Sequence, residues 1–301
     1  MVLPSVAVIQ GSSQGIGLAL TRAYLAKSSM HVVALSRNPS NARDAILSTD
    51  PSKSLLHENT QDFADALKSA DDRLTTLEVD IKHEDSIKAA SDEVKNKFGE
   101  DSLRLLFNIS GILQPEKNLQ QVDAKTLLET FQYVTTSINT FAPLLMFKHF
   151  APLLPAKPSS FDATSSDKDL ANGLLPAQSS VLASLSARVG SIGDNQRGGW
   201  YSYRSSKAAL NQITTTLAHE LKMRNRPALA CALHPGTVRS NLSKAFTGGP
   251  GGADKKGGAA KKKEGEFETW EAAEKLMGVI QGLSKDDSGV FRDWAGKDIP
   301  W

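Results

Sequence analysis

Residues 6–17 read VAVIQGSSQGIG, an apolar, β-branched run that stops at a glycine and gives way to two more glycines and a helical pattern. A strand that ends in a glycine turn and opens a helix aims backbone N–H groups and a helix dipole at an anion. The spacing G-x-x-x-G-x-G gives each glycine a task. Gly11 permits the tight turn, Gly15 lets the backbone approach a pyrophosphate, and Gly17 allows close packing of helix on strand. Ser13, Gln14 and Ile16 complete the turn. Glycines also merely end strands, so the reading rests on context: strand before, helix after.

The same rhythm continues downstream. Residues 31–35 (HVVAL), 74–79 (LTTLEV), 103–107 (LRLLF), 181–185 and 228–233 are five further strand candidates. Helical spacing occupies residues 86–98, 124–150 and 201–223. Nearly continuous apolar strands alternating with amphipathic helices predict a parallel sheet covered on both faces. Right-handed crossovers make this a doubly wound, three-layer α/β/α sheet of the Rossmann type. Residues 49–72, 155–178 and 248–265 interrupt the rhythm, and the first of these is expected to carry one extra helix. The last, GGPGGADKKGGAAKKKEG, lacks the apolar residues for a core and reads as a flexible, solvated loop. The expectation is one domain over residues 1–301 with three insertions.

Composition narrows the function classes. A net charge of +2 gives no field for nucleic acid or acidic lipid, and KKGGAAKKK has no interleaved aromatic residue. Cys231 is the only cysteine, which excludes an intrachain disulfide and points to a reducing compartment. No apolar run approaches the ~20 residues of a membrane span. The first residues lack a basic n-region with a cleavage site, so a cytoplasmic protein is expected. His149 and His219 lie in helical segments without nearby Cys, His and carboxylate partners, so no metal site is expected.

The end of the second strand selects the nucleotide. A carboxylate there binds the ribose 2′-OH of NAD, whereas an arginine accommodates the 2′-phosphate of NADP. Residues 34–40 read ALSRNPS, with Arg37 and no acid, so NADP(H) is expected over NAD(H).

Residues 199–207 read GWYSYRSSK. Residues four apart share a helix face, which pairs Tyr203 with Lys207. Tyr201 is six positions from Lys207, and its own i+4 partner, Ser205, offers no charge. A free phenol has a pKa of about 10, and a nearby ammonium lowers it. Tyr203 is thereby fitted to exchange a proton with an alcohol or carbonyl oxygen while a nicotinamide exchanges the hydride. The spacing alone is a common coincidence; joined to the glycine turn it becomes specific.

These residues make the sequence resemble the short-chain dehydrogenase/reductase family. Matching segments appear in order: GSSQGIG, VDI at 79–81, NISG at 108–111, SINTFAPLL around Asn139, YSYRSSKAALN, and HPGTVRSNLS from His234. SARVGSIGDNQRGGWYSYRSSKAALNQ and SGVFRDWAGKDIPW are similar to the C-factor-like carbonyl reductase subgroup. The resemblance implies that Tyr203 donates the proton in carbonyl reduction and that Lys207 lowers its pKa and bonds the nicotinamide ribose. Asn139 would hold a water linking Lys207 to solvent, and Asp80 would contact the adenine. Asn108 would brace the central strands beside the cofactor, with Gly111 next to it. Pro235, Thr237 and Val238 would border the nicotinamide.

The chain also departs from the family pattern. Gln10 replaces the usual Thr, and NISG replaces NNAG. Gln14 stands where a basic residue often accompanies NADP preference, which leaves Arg37 to carry that inference. The family uses the second of two serines at the end of the fifth strand, but here the pair reads Ser186–Ala187. Ser186 is expected to substitute, with Ser191 as the alternative. By resemblance the substrate is a small carbonyl or alcohol, and the assembly is a homodimer or homotetramer through the helices near Asn139 and Tyr203. A reading from another class is a nucleotide-binding interaction or signalling protein on the same fold.

Overall fold

The computed structural model describes residues 5–48, 61–113, 116–123, 137–157, 169–247, 249 and 265–301. Strand β1 (Val6–Gln10) is buried at every position, because a central parallel strand has neighbours on both edges and helices on both faces. It pairs with β2 (His31–Ser36) on one side and β4 (Leu103–Asn108) on the other. β3 (Leu74–Glu78), β5 (Ser180–Leu185), β6 (Ala228–His234) and β9 (Val290–Asp293) complete the sheet. The order is β3-β2-β1-β4-β5-β6-β9 and every pairing is parallel.

Strand alternation divides the core into two layers. Ala7 and Ile9 of β1 pack with α1 (Gly15–Lys27), α2 (Pro39–Leu47), α3 (Gln61–Lys68) and α7 (Thr269–Gln281). Val6 and Val8 face the opposite layer, formed with α4 (Glu84–Phe98), α5 (Ala142–Phe150) and α6 (Tyr201–Met223). Each fully buried Leu, Ile or Val side chain stabilises this arrangement by roughly 1.5–3 kcal/mol. Helix, sheet, helix is the three-layer architecture that the alternating pattern predicts.

Three features sharpen or extend the expectation. α3 is a helix inside the first of the three insertions. β9 is a seventh strand that periodicity did not mark. The helix expected over residues 124–150 is described only from residue 137, and its described part opens with a π-helical turn, Ser137–Phe141, ahead of α5. Proline explains the turn: Pro143 has no N–H to give the carbonyl of Asn139, and a widened turn relieves the clash. Residues 158–168 of the second insertion, and 248 and 250–264 of the third, lie outside the described residues.

A second, smaller ladder joins β7 (Thr237–Val238) to β8 (Glu266–Phe267). Thr237 N donates to Gly265 O at 2.8 Å and Arg239 N to Phe267 O at 2.8 Å. The buried Arg239 guanidinium pairs with Glu266 at 2.7 Å and Glu268 at 3.6 Å. Residues 237–239 are thus tied to residues 265–268.

Candidate active site

Helices that follow β1 and β4 leave the sheet on opposite faces, so a crevice opens between the C-terminal ends of these strands. A cleft of about 1100 Å³ lies there. Gly11, Ser13, Gln14, Gly15 and Ile16 line it. Gly11 and Gly15 have φ of +87° and +59°, conformations that favour glycine. A Cβ on Gly17 would fall 2.0 Å from Gly11 O, so this glycine lies under the turn and brings helix and strand together. The Gln14 side chain does not cap α1; its Oε1 accepts from Asn241 Nδ2 at 3.1 Å. The helix N-terminus therefore faces the cleft without an internal carboxylate, as an anion site requires.

Arg37 follows β2, lines the cleft, and has no ion-pair partner among the described residues. Asp80 also lines it, with Oδ1 accepting from Lys82 N at 3.1 Å. Gly111, Pro235, Thr237 and Val238 border the same space. Asn108 does not: it is 4% exposed and reaches sideways, Nδ2 to Ser184 Oγ at 3.4 Å, bracing β4 on β5. The glycine cradle and the partnerless arginine fit a phosphorylated dinucleotide.

The tyrosine and lysine lie deeper in the cleft. Tyr203 and Lys207 are one turn apart on α6, and both line the cleft while 8% and 3% exposed. Among the described residues the Tyr203 hydroxyl has no hydrogen-bond partner, and burial pushes its pKa up. Burial pushes the Lys207 ammonium down to about 7. Lys207 Nζ donates to Leu185 O at 2.7 Å, tying α6 to the end of β5. Gly190 makes this approach possible, since a Cβ there would lie 2.6 Å from Lys207 Cβ. Tyr201 is 42% exposed and turns away from the cleft, as the helical spacing predicts.

Asn139, on the π turn, sits behind the cleft wall, fully buried. Its Oδ1 accepts from Ile112 N at 2.8 Å, and its Nδ2 donates to Ile112 O at 3.0 Å and Ser206 Oγ at 3.2 Å. A Cβ on Gly111 would sit 3.4 Å from Asn139 Oδ1 and 3.9 Å from Lys207 Nζ, so glycine there keeps the two groups in line of sight.

The two candidate serines separate. Ser186 lines the cleft, but its hydroxyl donates to Asn211 Oδ1 at 2.6 Å. Ser191 is bound elsewhere: it donates to Pro300 O and accepts from Asp194 N at 2.9 Å. Ala187 joins Ser186 on the lining.

Glu116 is a residue that sequence reasoning missed. Its carbonyl accepts from Trp200 N at 2.7 Å, and its carboxylate accepts from Ser202 N at 3.1 Å and from Ser202 Oγ. Gly198, Gly199 and Trp200 all have positive φ, so the chain enters α6 through a left-handed turn without a side-chain cap of its own. Glu116 caps the helix from 86 residues away. No local signal marks such a cap.

Among the described residues no cluster of three or more His, Cys, Asp or Glu could hold a metal, and no helix is long and apolar enough to cross a membrane.

Parallel order, switch-point cleft and glycine turn define a dinucleotide-binding α/β protein of the Rossmann type. A family model described as KR domain matches residues 5–135. The chain is 27% identical, over 74% of its length and 78% of the relative's, to 1-hydroxy-2-glutathionyl-2-methyl-3-butene dehydrogenase of Rhodococcus sp. (strain AD45). It is 31% identical to C-signal of Myxococcus xanthus, over 40% of its length and 60% of that protein's. Among solved structures, the NADPH-bound carbonyl reductase from chicken fatty liver superposes with a TM-score of 0.69 at 26% identity, covering 100% of both chains. The chain is thus similar to short-chain dehydrogenases and to a carbonyl reductase over most of its length.

Proposed function

We propose that this protein is an NADP(H)-dependent oxidoreductase that interconverts a carbonyl and an alcohol. The observation that carries the reading is the meeting, in one cleft, of the glycine turn with the Tyr203 hydroxyl and the Lys207 ammonium. The glycine turn holds the pyrophosphate, Arg37 the 2′-phosphate, and Asp80 the adenine, while Pro235, Thr237 and Val238 border the nicotinamide. NADP in two of the solved relatives, the chicken carbonyl reductase and a short-chain dehydrogenase/reductase from Burkholderia multivorans, supports this choice over NAD.

When bound, the dinucleotide supplies or accepts the hydride. Tyr203 gives its proton to the substrate oxygen in reduction and recovers it in oxidation. A buried phenolate is costly alone, and a buried ammonium one turn away offsets that cost. With its pKa near 7, Lys207 passes a proton in either direction at neutral pH. Asn139 holds the water that links Lys207 to solvent, and Asn108 braces the strands beneath. The alcohol product retains one hydride and one proton, which balances the carbonyl reduced.

The reading includes a cytoplasmic setting and a homodimer or homotetramer. Exposed Phe141 and Leu144 beside Asn139, and Tyr201 at the start of α6, support assembly through these helices. A second reading, nucleotide binding without turnover, draws support from the Ser186–Asn211 bond, which leaves the site with one hydroxyl donor fewer. Purified protein tested with NADPH and NADH across aldehydes, ketones and quinones separates the two. Turnover with NADPH supports the oxidoreductase; binding with no turnover anywhere in the panel overturns it.

A further inference from the structure

β1 and β4 remain paired as far as Gln10 and Asn108, and there the two chains part at the switch point. Ile109 N still donates to the Gln10 carbonyl at 3.3 Å, whereas Ser110 N, further on, needs another acceptor, since buried donors are rarely left unpaired. The Gln10 side chain supplies one. Its Oε1 accepts from Ser110 N at 3.0 Å and from Ile109 N at 3.3 Å. This fixes the carboxamide, because a flipped amide would set donor against donor. Nε2 is left facing Ser110, and it donates to Ser110 Oγ at 2.7 Å.

A hydroxyl carries one proton. Ser110 Oγ receives a proton from Gln10, so its own O–H points elsewhere. Among the described residues that O–H donates to nothing, and Ser110 lines the cleft. Its position is specific: a Cβ on Gly11 would fall 2.6 Å from Ser110 Oγ, which sets the hydroxyl directly against the glycine turn.

We propose that Ser110 is a cofactor-binding residue, donating its hydroxyl proton to a phosphate or ribose oxygen of the dinucleotide, and that Gln10 is the positioning residue that turns this proton toward the cleft. The proposal rests on the reading of the cleft as a nicotinamide-dinucleotide site. It also makes one device of two departures from the family pattern: the carboxamide at position 10 and the hydroxyl at position 110 serve each other.

The test is the affinity for NADPH, measured by calorimetric titration of the wild type, Ser110→Ala, Ser110→Thr, Gln10→Thr and the double variant Gln10→Thr/Ser110→Ala. The lost hydrogen bond predicts an affinity about tenfold weaker in Ser110→Ala. Ser110→Thr keeps the hydroxyl and should stay within about threefold of wild type. Gln10→Thr should weaken binding, and the double variant should bind no more weakly than Ser110→Ala, because Gln10 acts through Ser110. A purely structural role would lower the melting temperature without this pattern in affinity. Ser110→Ala binding like wild type, or losses that add in the double variant, overturns the proposal. A wild type that binds neither NADPH nor NADH is a different failure, that of the functional reading itself.

Discussion

Asn211 holds the proton of Ser186. Ser186 Oγ donates to Asn211 Oδ1 at 2.6 Å, and Asn211 Nδ2 donates to Gly190 O at 3.4 Å, which fixes the amide with its oxygen toward the serine. Toward the cleft Ser186 therefore offers lone pairs and no O–H.

The first expected outcome concerns that serine. Ser186→Ala should change turnover by less than about threefold, while leaving Asn211 Oδ1 without its donor costs about 1–3 kcal/mol of stability. Ala187→Ser, which sets a hydroxyl on the cleft lining, should raise turnover about tenfold, since a donor at a developing oxyanion is worth that much or more. Steady-state kinetics and urea unfolding measure both. A hundredfold loss in Ser186→Ala would instead mean that its hydroxyl swings to the substrate.

Lys207 predicts a pH dependence of stability. Its native pKa is about 7, below the ordinary lysine value of about 10.4, so between these limits the unfolded chain binds the proton and the native chain does not. Native stability therefore gains from this residue as pH rises from 7 towards 10, by up to about 1.4 kcal/mol per pH unit, and the gain is absent below pH 7. Lys207→Met removes that slope along with turnover. The difference in unfolding free energy between wild type and variant, measured at pH 7 and pH 9, should move in favour of wild type. A difference that stays constant shows that Lys207 is charged in the native state at both values.

Glu116 predicts a loss at a distance. Glu116→Ala removes the cap of α6 one residue before Tyr203, at a cost of about 1–2 kcal/mol. Turnover should fall with it, because Tyr203 and Lys207 ride on the first two turns of this helix. NADPH affinity should fall less than turnover, since the glycine turn and Arg37 assigned to the phosphates lie on other elements. Equal losses in turnover and affinity would point to general unfolding of the cleft.

Arg37 predicts selectivity. Arg37→Ala should weaken NADPH binding about tenfold through the lost charged hydrogen bonds and leave NADH within about twofold. Equal weakening of both cofactors would place the 2′-phosphate elsewhere.

Periodicity carried much of this architecture. Six strands, the turn at Gly11 and the choice of Tyr203 over Tyr201 follow from apolar runs and four-residue spacing, because burial and helix geometry act locally. α7 has apolar positions at helical spacing and a capping box between Glu268 and Glu271, so its signal is also in the sequence. β9 is different: four residues of an edge strand, with Arg292 and Asp293 among them, leave too short a pattern. The π-helical turn at Ser137–Phe141 was legible only through Pro143. Glu116, Asn211 and the Gln10–Ser110 pair act across the fold, where spacing along the chain says nothing about contact.

The small ladder between β7 and β8 works as a collar. It fixes both ends of the stretch from Arg239 to Gly265, so Val238 keeps its place at the cleft whatever the length of chain beyond the collar. The entropic cost of closing a chain between two fixed points grows slowly, by about 0.6 kcal/mol for each doubling of its length. The fold thus has a port beside its active site, a place where chain can be added, removed or exchanged over evolutionary time, or by a protein engineer fitting a new cover, without redesigning the floor.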